Sequence, residues 1–240
     1  MDKPKVLITG ASRGIGLALA KRLAPTYDLI LHASKAGNLG PLEPGQQAMY
    51  ADFSINEELT DFCKSLKKDH GDRLYAVINN AGLSYDKSFL FQPETEIDTM
   101  IQVNLKAPVM ISKTALKIFN QHKKGVILNV SSCVAETGNA FQSVYAATKA
   151  ALIAFSKSLA KETAYLHEEH QIRVLSISPG FVETAMAQSI PLAEQQKYRN
   201  MIPLRRFATP EEIAETIAFL ISENASYLNG SNIPVNGGLF

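Results

Sequence analysis

Three side chains in the middle of the chain have the types and spacing of a proton-transfer site. Tyr145 and Lys149 are four residues apart, and Ser132 lies thirteen residues before Tyr145. Residues four apart share one face of a helix, and the polar start and good helix formers from Ser143 onward predict a helix there. A phenol has a pKa of about 10, which a nearby ammonium lowers by favouring the phenolate. The set predicts an enzyme in which Tyr145 exchanges a proton, Lys149 activates it and Ser132 orients a carbonyl.

Around these residues, short β-branched runs alternate with helical patterns along the whole chain. Such alternation predicts βαβ units and a parallel sheet buried on both faces. We count seven strands, and therefore expect an α/β fold of Rossmann-like, doubly wound type with helices on both faces, in a single domain over residues 1–240. The segment between the second and third strands is rich in Gly and Pro, which predicts turns there instead of a crossover helix.

A glycine-rich loop, TGASRGIG, directly follows the first strand and opens a helix. Gly10, Gly14 and Gly16 allow a tight turn and let backbone N–H groups approach a pyrophosphate at the helix N-terminus. The spacing is GxxxGxG and not GxGxxG, so the dinucleotide-binding fingerprint is met in mechanism and not letter by letter. The loop therefore predicts a dinucleotide cofactor.

The end of the second strand should decide which nicotinamide cofactor binds, because an acidic residue there would hold the ribose hydroxyls and repel a 2′-phosphate. The strand ends HASK, without Asp or Glu. With Ser34, Lys35 and Arg13 close by, we expect NADP, although both basic side chains could instead be merely solvated. Asp52, after the third strand, could accept from the adenine amino group.

Composition excludes several other classes of function. The 240 residues carry 24 Lys and Arg against 23 Asp and Glu, so we expect no nucleic-acid partner. Cys63 and Cys133 form no metal or disulfide pattern, and no metal is expected. We find neither a signal segment nor an apolar run of about 18 residues, and therefore expect a cytoplasmic protein with no membrane partner, in a reducing compartment.

Taken together in chain order, these motifs resemble the classical short-chain dehydrogenase/reductase family. The resemblance rests on TGASRGIG, Asp52, Asn79-Asn80-Ala81-Gly82, Asn104, Ser132, Tyr145-x-x-x-Lys149 and Pro179-Gly180, and covers essentially the whole chain. Within the family, PGFVETAM, YAATKAALIAFSKSLAKE and the terminal VNGG are most similar to the 3-oxoacyl-(acyl-carrier-protein) reductases, also called β-ketoacyl reductases, which reduce 3-oxoacyl thioesters with NADPH in fatty-acid synthesis.

The resemblance implies a role for each matching residue. Tyr145 would donate the proton, Ser132 would bind the substrate carbonyl, Lys149 would also grip the nicotinamide ribose, and Asn104 would hold a water that relays protons to Lys149; Asn104 could instead only cap or kink its helix. Ser131 competes with Ser132, and the thirteen-residue spacing favours Ser132. The predicted cofactor-binding residues are Gly10, Ser12, Arg13, Gly14, Ile15, Gly16, Ser34, Lys35, Asp52, Phe53, Asn80, Ala81, Gly82, Tyr145, Lys149, Pro179, Gly180, Val182 and Thr184.

Departures from the resemblance bear on the substrate. Carrier-protein reductases carry arginines just before the fifth and sixth strands, where this chain has Lys123 and His170, and Glu168 and Glu169 add negative charge nearby. A weaker docking patch for an acidic carrier follows. We place substrate selection in the segment from Thr184 to Pro203, and the resemblance implies a homotetramer.

The leading interpretation is NADPH-dependent reduction of a 3-oxoacyl thioester, carried by an acyl carrier protein or by CoA. The alternative is a short-chain reductase or dehydrogenase that acts on another ketone or secondary alcohol. A cofactor-binding subunit without catalytic activity is the third interpretation, and the complete set of Asn104, Ser132, Tyr145 and Lys149 argues against it.

Overall fold

The sheet has the architecture that the alternating pattern predicts. The computed structural model describes residues 3–166, 169–185 and 191–240. Seven strands form one sheet in the order β3-β2-β1-β4-β5-β6-β7, and all neighbouring strands run parallel. The predicted Rossmann-like fold is confirmed. The strands are β1 Lys5–Ile8, β2 Asp28–Ala33, β3 Gln46–Tyr50, β4 Leu74–Asn79, β5 Lys124–Val130, β6 Gln171–Pro179 and β7 Asn232–Val235.

Helices cover both faces of this sheet. Val6 and Ile8 of β1 pack with the helices Gly14–Leu23 and Pro210–Ile221 on one face, and Leu7 packs with the helices Asn56–His70 and Ala107–His122 on the other. The central strands are therefore buried on both faces, as expected for a parallel sheet, while the edge strands β3 and β7 are partly exposed. The described helices are α1 Gly14–Leu23, α2 Asn56–His70, α3 Glu94–Ile101, α4 Ala107–His122, α5 Val134–Thr137, α6 Ser143–Glu162, α7 Leu192–Met201 and α8 Pro210–Ile221, with 3-10 turns at Phe89–Phe91, Thr163–Tyr165 and Glu223–Ala225.

Local sequence explains where α8 begins and why the β2–β3 connection has no helix. The α8 helix starts with a capping box, in which the Thr209 hydroxyl accepts from the Glu212 N–H and the Glu212 carboxylate accepts from the Thr209 N–H, and Pro210 fits the first turn. The connection between β2 and β3 contains turns and bends but no helix, as its Gly and Pro content predicts.

Strand order places the site. Because β2 and β4 lie on opposite sides of β1, the chain leaves the sheet in opposite directions there and opens a crevice at the carboxyl ends of the strands. Across this centre, the Asn79 amide donates to Asn129 Oδ1 at 2.8 Å, and the Asn129 amide donates to Ser156 Oγ at 2.9 Å. These buried hydrogen bonds join β4, β5 and α6 directly below the crevice. Within the described ranges, we find no helix with the length and apolar character needed to span a membrane.

Candidate active site

Tyr145 and Lys149 lie on one face of α6, as their spacing predicts. The Lys149 ammonium nitrogen is 5.8 Å from the centre of the Tyr145 ring. Lys149 is only 3% exposed and donates to the Val130 carbonyl oxygen at 2.8 Å. The lysine is therefore held beside the phenol by the carboxyl end of β5.

The structure also distinguishes the two adjacent serines. Ser131 is buried, and its hydroxyl donates to the Lys149 carbonyl oxygen at 2.8 Å. Its hydroxyl is thus used to attach α6 to β5. Ser132 is half-buried and its hydroxyl interacts with the Tyr145 phenol. The assignment of the carbonyl-binding hydroxyl to Ser132 therefore stays the better prediction.

Burial shifts the pKa values of the tyrosine and the lysine in opposite directions. Burial raises the pKa of Tyr145 to about 12, although the interaction with the Ser132 hydroxyl acts to lower it. Burial lowers the pKa of Lys149 to about 8. The net shift of the tyrosine is opposite to the lowering that we expected from the lysine charge, because burial of the phenol is the largest cause and the group that acts to lower the pKa is the Ser132 hydroxyl. At neutral pH the phenol is protonated, as a proton donor must be.

Asn104 lies in a π-helical turn, Gln102–Lys106, between α3 and α4. Its side chain is fully buried and is paired with the backbone of Leu83, accepting from the N–H at 2.9 Å and donating to the carbonyl at 2.8 Å. A Cβ on Gly82 would lie 3.2 Å from Lys149 Nζ and 3.4 Å from Asn104 Oδ1. Asn104 thus fixes the Asn80–Leu83 segment beside Lys149, and its predicted water relay stays a prediction.

The glycines of the first loop let neighbouring backbone segments approach closely. A Cβ on Gly16 would lie 2.1 Å from the Gly10 carbonyl oxygen, and one on Gly10, whose φ is +67°, would lie 2.9 Å from Ala81 Cα. The loop opens α1, where Arg13 makes no side-chain capping bond. Ser12 and Ile15 in the same loop are half-buried. A backbone cradle at the start of a helix fits a pyrophosphate.

Thr9, which we did not single out from the sequence, connects this loop to β4. Its hydroxyl oxygen accepts from the N–H groups of Asn80 and Ala81 at 2.9 and 3.0 Å. The Asn80 side chain donates back to the carbonyl oxygens of Thr9 and Gly10 at 2.9 and 3.1 Å. In the sequence, this role of Thr9 is indicated only by the position of a hydroxyl residue directly before Gly10.

The carboxyl end of β6 completes the rim of the crevice. The Pro179 carbonyl accepts from the Cys133 N–H at 2.8 Å, and the Gly180 N–H donates to Val235 at 2.9 Å. Val182 pairs with Ala208 in a short bridge. Thr184 comes close to the cofactor loop, since a Cβ on Gly14 would be 3.1 Å from its methyl carbon. Of the predicted residues in this segment, Thr184 thus lies against the glycine loop, while Pro179, Gly180 and Val182 lie at and just after the carboxyl end of β6.

The predicted NADP-selecting residues Arg13, Ser34 and Lys35 are all exposed around this loop. Neither Arg13 nor Lys35 forms an ion pair with a residue in the described part of the chain. Asp52 accepts from the Ser54 N–H and hydroxyl at 3.0 and 2.7 Å, so one carboxylate oxygen stabilises the turn before α2. Its predicted contact with adenine is untested.

His32, a buried residue of β2, was also not singled out from the sequence. It is 3% exposed, and its ring stacks on Phe53 with 4.0 Å between ring centres. Burial lowers the pKa of His32 from 6.5 to about 4, although the nearby Ala51 carbonyl and Asp52 act to raise it. The contacts of His32 are with residues that lie far from it in sequence, such as Ala51 and Phe53, and a single sequence does not reveal them.

Comparison with known proteins identifies the family. A family model described as "Enoyl-(Acyl carrier protein) reductase" matches residues 10–240. The 3-oxoacyl-[acyl-carrier-protein] reductase FabG of Aquifex aeolicus is 35% identical, with 98% of this chain and 96% of the relative covered. The chain belongs to the short-chain dehydrogenase/reductase family. Carbonyl reductase family member 4 of Xenopus tropicalis is also 35% identical, over 97% of this chain and 96% of its own length. Nodulation protein G of a Rhizobium species is 35% identical as well, over 98% of this chain and 96% of its own length.

For this member of the short-chain dehydrogenase/reductase family, the structure places the expected docking patch far from the chemistry. Lys123 and His170 directly precede β5 and β6, and the Gln171 N–H donates to the Lys123 carbonyl at 2.7 Å. Both therefore lie at the amino edge of the sheet, whereas Ser132 follows the carboxyl end of β5. Glu169 is exposed near them, while Glu168 and residues 186–190 of the predicted substrate segment lie outside the described residues.

Burial of His32 predicts an acid-sensitive stability. Between pH 6.5 and 4 the unfolded chain binds a proton on this histidine that the folded chain does not. The free energy of unfolding therefore decreases as the pH falls. The contribution of His32 is complete above pH 6.5 and should decrease by about 3 kcal/mol on going to pH 4. Urea unfolding at pH 7, 6, 5 and 4 should therefore show a shrinking difference between the wild type and His32→Asn. A difference that is independent of pH would contradict the prediction.

Proposed function

We propose that this protein is an NADPH-dependent reductase of 3-oxoacyl thioesters in fatty-acid synthesis, working as one catalytic domain over residues 1–240. The observation that carries the proposal is the grouping of Ser132, Tyr145 and Lys149 at the carboxyl ends of β4 and β5, beside the glycine loop. The FabG relatives support the thioester substrate. The buried, unpaired Cys63 and Cys133 fit a reducing cytoplasm.

The residues present fit a nicotinamide dinucleotide. The Gly10–Gly16 loop and the start of α1 would hold its pyrophosphate, and Asn80–Gly82 and Thr184 would line the crevice. Lys149 uses one of its three N–H donors on Val130 among the described residues, which leaves donors for ribose hydroxyls. When bound, the cofactor supplies a hydride to the carbonyl carbon.

Protein side chains would handle the oxygen of the substrate. The Ser132 hydroxyl donates to the carbonyl oxygen and keeps it beside Tyr145, so that negative charge developing on the oxygen is stabilised. Tyr145 then gives its phenolic proton to that oxygen, which becomes the hydroxyl of the 3-hydroxyacyl product. The charge of Lys149 stabilises the phenolate that remains.

Reduction of a carbonyl explains the site better than reduction of a carbon–carbon double bond, the reaction in the description of the matching family model. Ser132 and Tyr145 both present hydroxyl donors at one place, which is the arrangement that a developing alkoxide needs. A second candidate is reduction of another ketone, or oxidation of a secondary alcohol. The carbonyl reductase relative favours it, and so does the position of Lys123 and His170 away from Ser132.

Loss of the Tyr145 hydroxyl tests the proposal. With NADPH, the wild type should reduce acetoacetyl-CoA and a 3-oxoacyl carrier protein but not crotonyl-CoA, as followed by NADPH absorbance. Tyr145→Phe should lower kcat by about 10²- to 10⁴-fold, the usual contribution of a general acid, while NADPH binding is retained. Tyr165→Phe, at a 90% exposed tyrosine, is the control. An active Tyr145→Phe enzyme would refute the mechanism, and a preference for simple ketones would favour the second candidate.

Cofactor selection should depend on the exposed cations after β2. Lys35→Glu would place a carboxylate where a 2′-phosphate is expected, so the KM for NADPH should rise about tenfold or more, while the KM for NADH changes little. Lys68→Glu, a charge reversal on the exposed part of α2, controls for a general effect of net charge. Equal KM changes for NADPH and NADH would show that Lys35 does not select the cofactor.

We further propose that the protein assembles as a homotetramer and that one of its interfaces lies at the apolar groove between α3, the π-helical turn and α6. This groove has a volume of about 550 Å³ and is lined mainly by Phe89, Ile97, Ile101, Leu105, Val144 and Ala147. The adjacent Phe89–Phe91 turn exposes three large apolar side chains. Contiguous apolar surface of this kind is typical of interaction sites.

Assembly can be tested at the groove itself. Ile101→Glu should lower the mass measured by analytical ultracentrifugation, because a carboxylate would be buried without a partner in the interface. Leu42→Glu is a matched control, since Leu42 is 44% and Ile101 43% exposed and Leu42 lies in the β2–β3 connection. A monomeric wild type, or an unchanged mass in Ile101→Glu, would contradict this interface.

A further inference from the structure

His32 is a polar residue in the interior of β2, directly beneath the cofactor loop. Its own carbonyl accepts from the Ala11 N–H of that loop at 2.8 Å. His32 lies on β2, on the other side of β1 from β5 and its following residues, and is not part of the proton-transfer site. A buried imidazole is uncommon unless its nitrogens are paired, so its contacts need an explanation.

Both ring nitrogens are hydrogen-bonded, and the two bonds determine which nitrogen carries the proton. The Gly10 N–H donates to Nδ1 at 3.2 Å, so Nδ1 must be an unprotonated acceptor. Nε2 is 2.9 Å from the Ala51 carbonyl oxygen and must therefore be the protonated donor. A neutral ring of this tautomer joins the first glycine of the cofactor loop to the end of β3.

The ring also supports the opposite wall of the predicted adenine site. Phe53 stacks on His32 with an angle of 4° between the rings, and Phe62 packs edge-on against His32 at 5.2 Å. Ala51, Asp52 and Phe53 are consecutive, so the bond to Ala51 and the stack on Phe53 hold both flanks of Asp52. One side chain thus contacts both segments between which an adenine nucleotide would lie.

We propose that His32 is a positioning residue for the adenine half of the cofactor, and that its bond from the Gly10 N–H presets the glycine loop for binding. The inference rests on the proposed NADPH-dependent function. Binding a ligand between two loose segments costs the free energy of ordering them, whereas a prearranged site avoids that cost. The rigid imidazole has its acceptor and its donor on different sides of one ring, and can therefore bridge both segments.

Two substitutions separate the two hydrogen bonds. In His32→Asn the amide oxygen can replace Nδ1 as the acceptor for Gly10, but the contact with Ala51 is lost. In His32→Gln the amide nitrogen can replace Nε2 as the donor to Ala51, but the acceptor for Gly10 is lost. Both variants lose the stack of the His32 ring on Phe53. A difference between the two variants therefore reports the hydrogen bonds and not the loss of core packing.

The test compares Kd values for NADPH and for adenosine 2′,5′-bisphosphate, which contains only the adenine half, by calorimetry at pH 7.5. His32→Gln should raise both Kd values about tenfold, the effect of one lost hydrogen bond, and His32→Asn by less than about threefold. In both variants kcat at saturating NADPH should fall by no more than about twofold. The two variants should also have similar midpoints of urea unfolding when compared with each other.

Other outcomes overturn the inference. Equal losses of affinity in the two variants, a larger loss in His32→Asn, or unchanged Kd values would show that His32 serves the core and does not position the loop. These results are distinguishable from failure of the proposed function, which would appear as a wild type that neither binds nor oxidises NADPH.

Discussion

The burial of Lys149 is the constraint on which the arrangement of the site depends. Two adjacent residues, Val130 and Ser131, hold both ends of Lys149. The Lys149 ammonium donates to the Val130 carbonyl, and the Lys149 carbonyl accepts from the Ser131 hydroxyl. These two bonds fix α6 against the carboxyl end of β5. A buried ammonium costs several kcal/mol when it is only partly compensated, and the lowered pKa reflects that cost. A ligand whose hydroxyl groups pair with the remaining donors would recover part of it, so binding and the charge of Lys149 are coupled.

The same burial acts on Tyr145 in the opposite sense and raises its pKa. With a pKa of about 12 for the phenol and about 8 for the ammonium, the tyrosine is protonated and the lysine charged at neutral pH. This is the combination that proton donation requires. Oxidation of an alcohol would instead need a phenolate, which burial disfavours.

Local patterns were sufficient for the parts of the site that depend on neighbours in sequence. The helix Ser143–Glu162 follows from its residue preferences, and the glycine loop follows from positions that only glycine tolerates, as Gly10 and Gly16 show. The π-helical turn at Asn104 could not be predicted, because a single wide turn leaves no period in the sequence.

Contacts between distant segments were equally beyond prediction from one chain. Thr9, Asn129 and His32 matter through partners that lie 19 to 71 residues away, and only the sheet order brings them together. The direction of the Tyr145 shift was missed for a related reason, since the charge of Lys149 can be inferred from its spacing but the extent of burial cannot.

Sheet geometry also constrains how a substrate reaches Ser132. The seven residues of β5, at about 3.3 Å each, place Lys123 roughly 20 Å from the catalytic edge within one chain. We therefore propose that recognition near the reacting carbonyl comes from the segment after β6, which begins at the same edge of the sheet as Ser132. The far end of that segment is fixed by the tail of the chain, since a Cβ on Gly237 would lie 2.8 Å from Ile202 and one on Gly238 would lie 3.0 Å from Pro203. Because Lys149 is fixed by burial and this anchor is tight, we expect differences in substrate to be accommodated between Thr184 and Pro203.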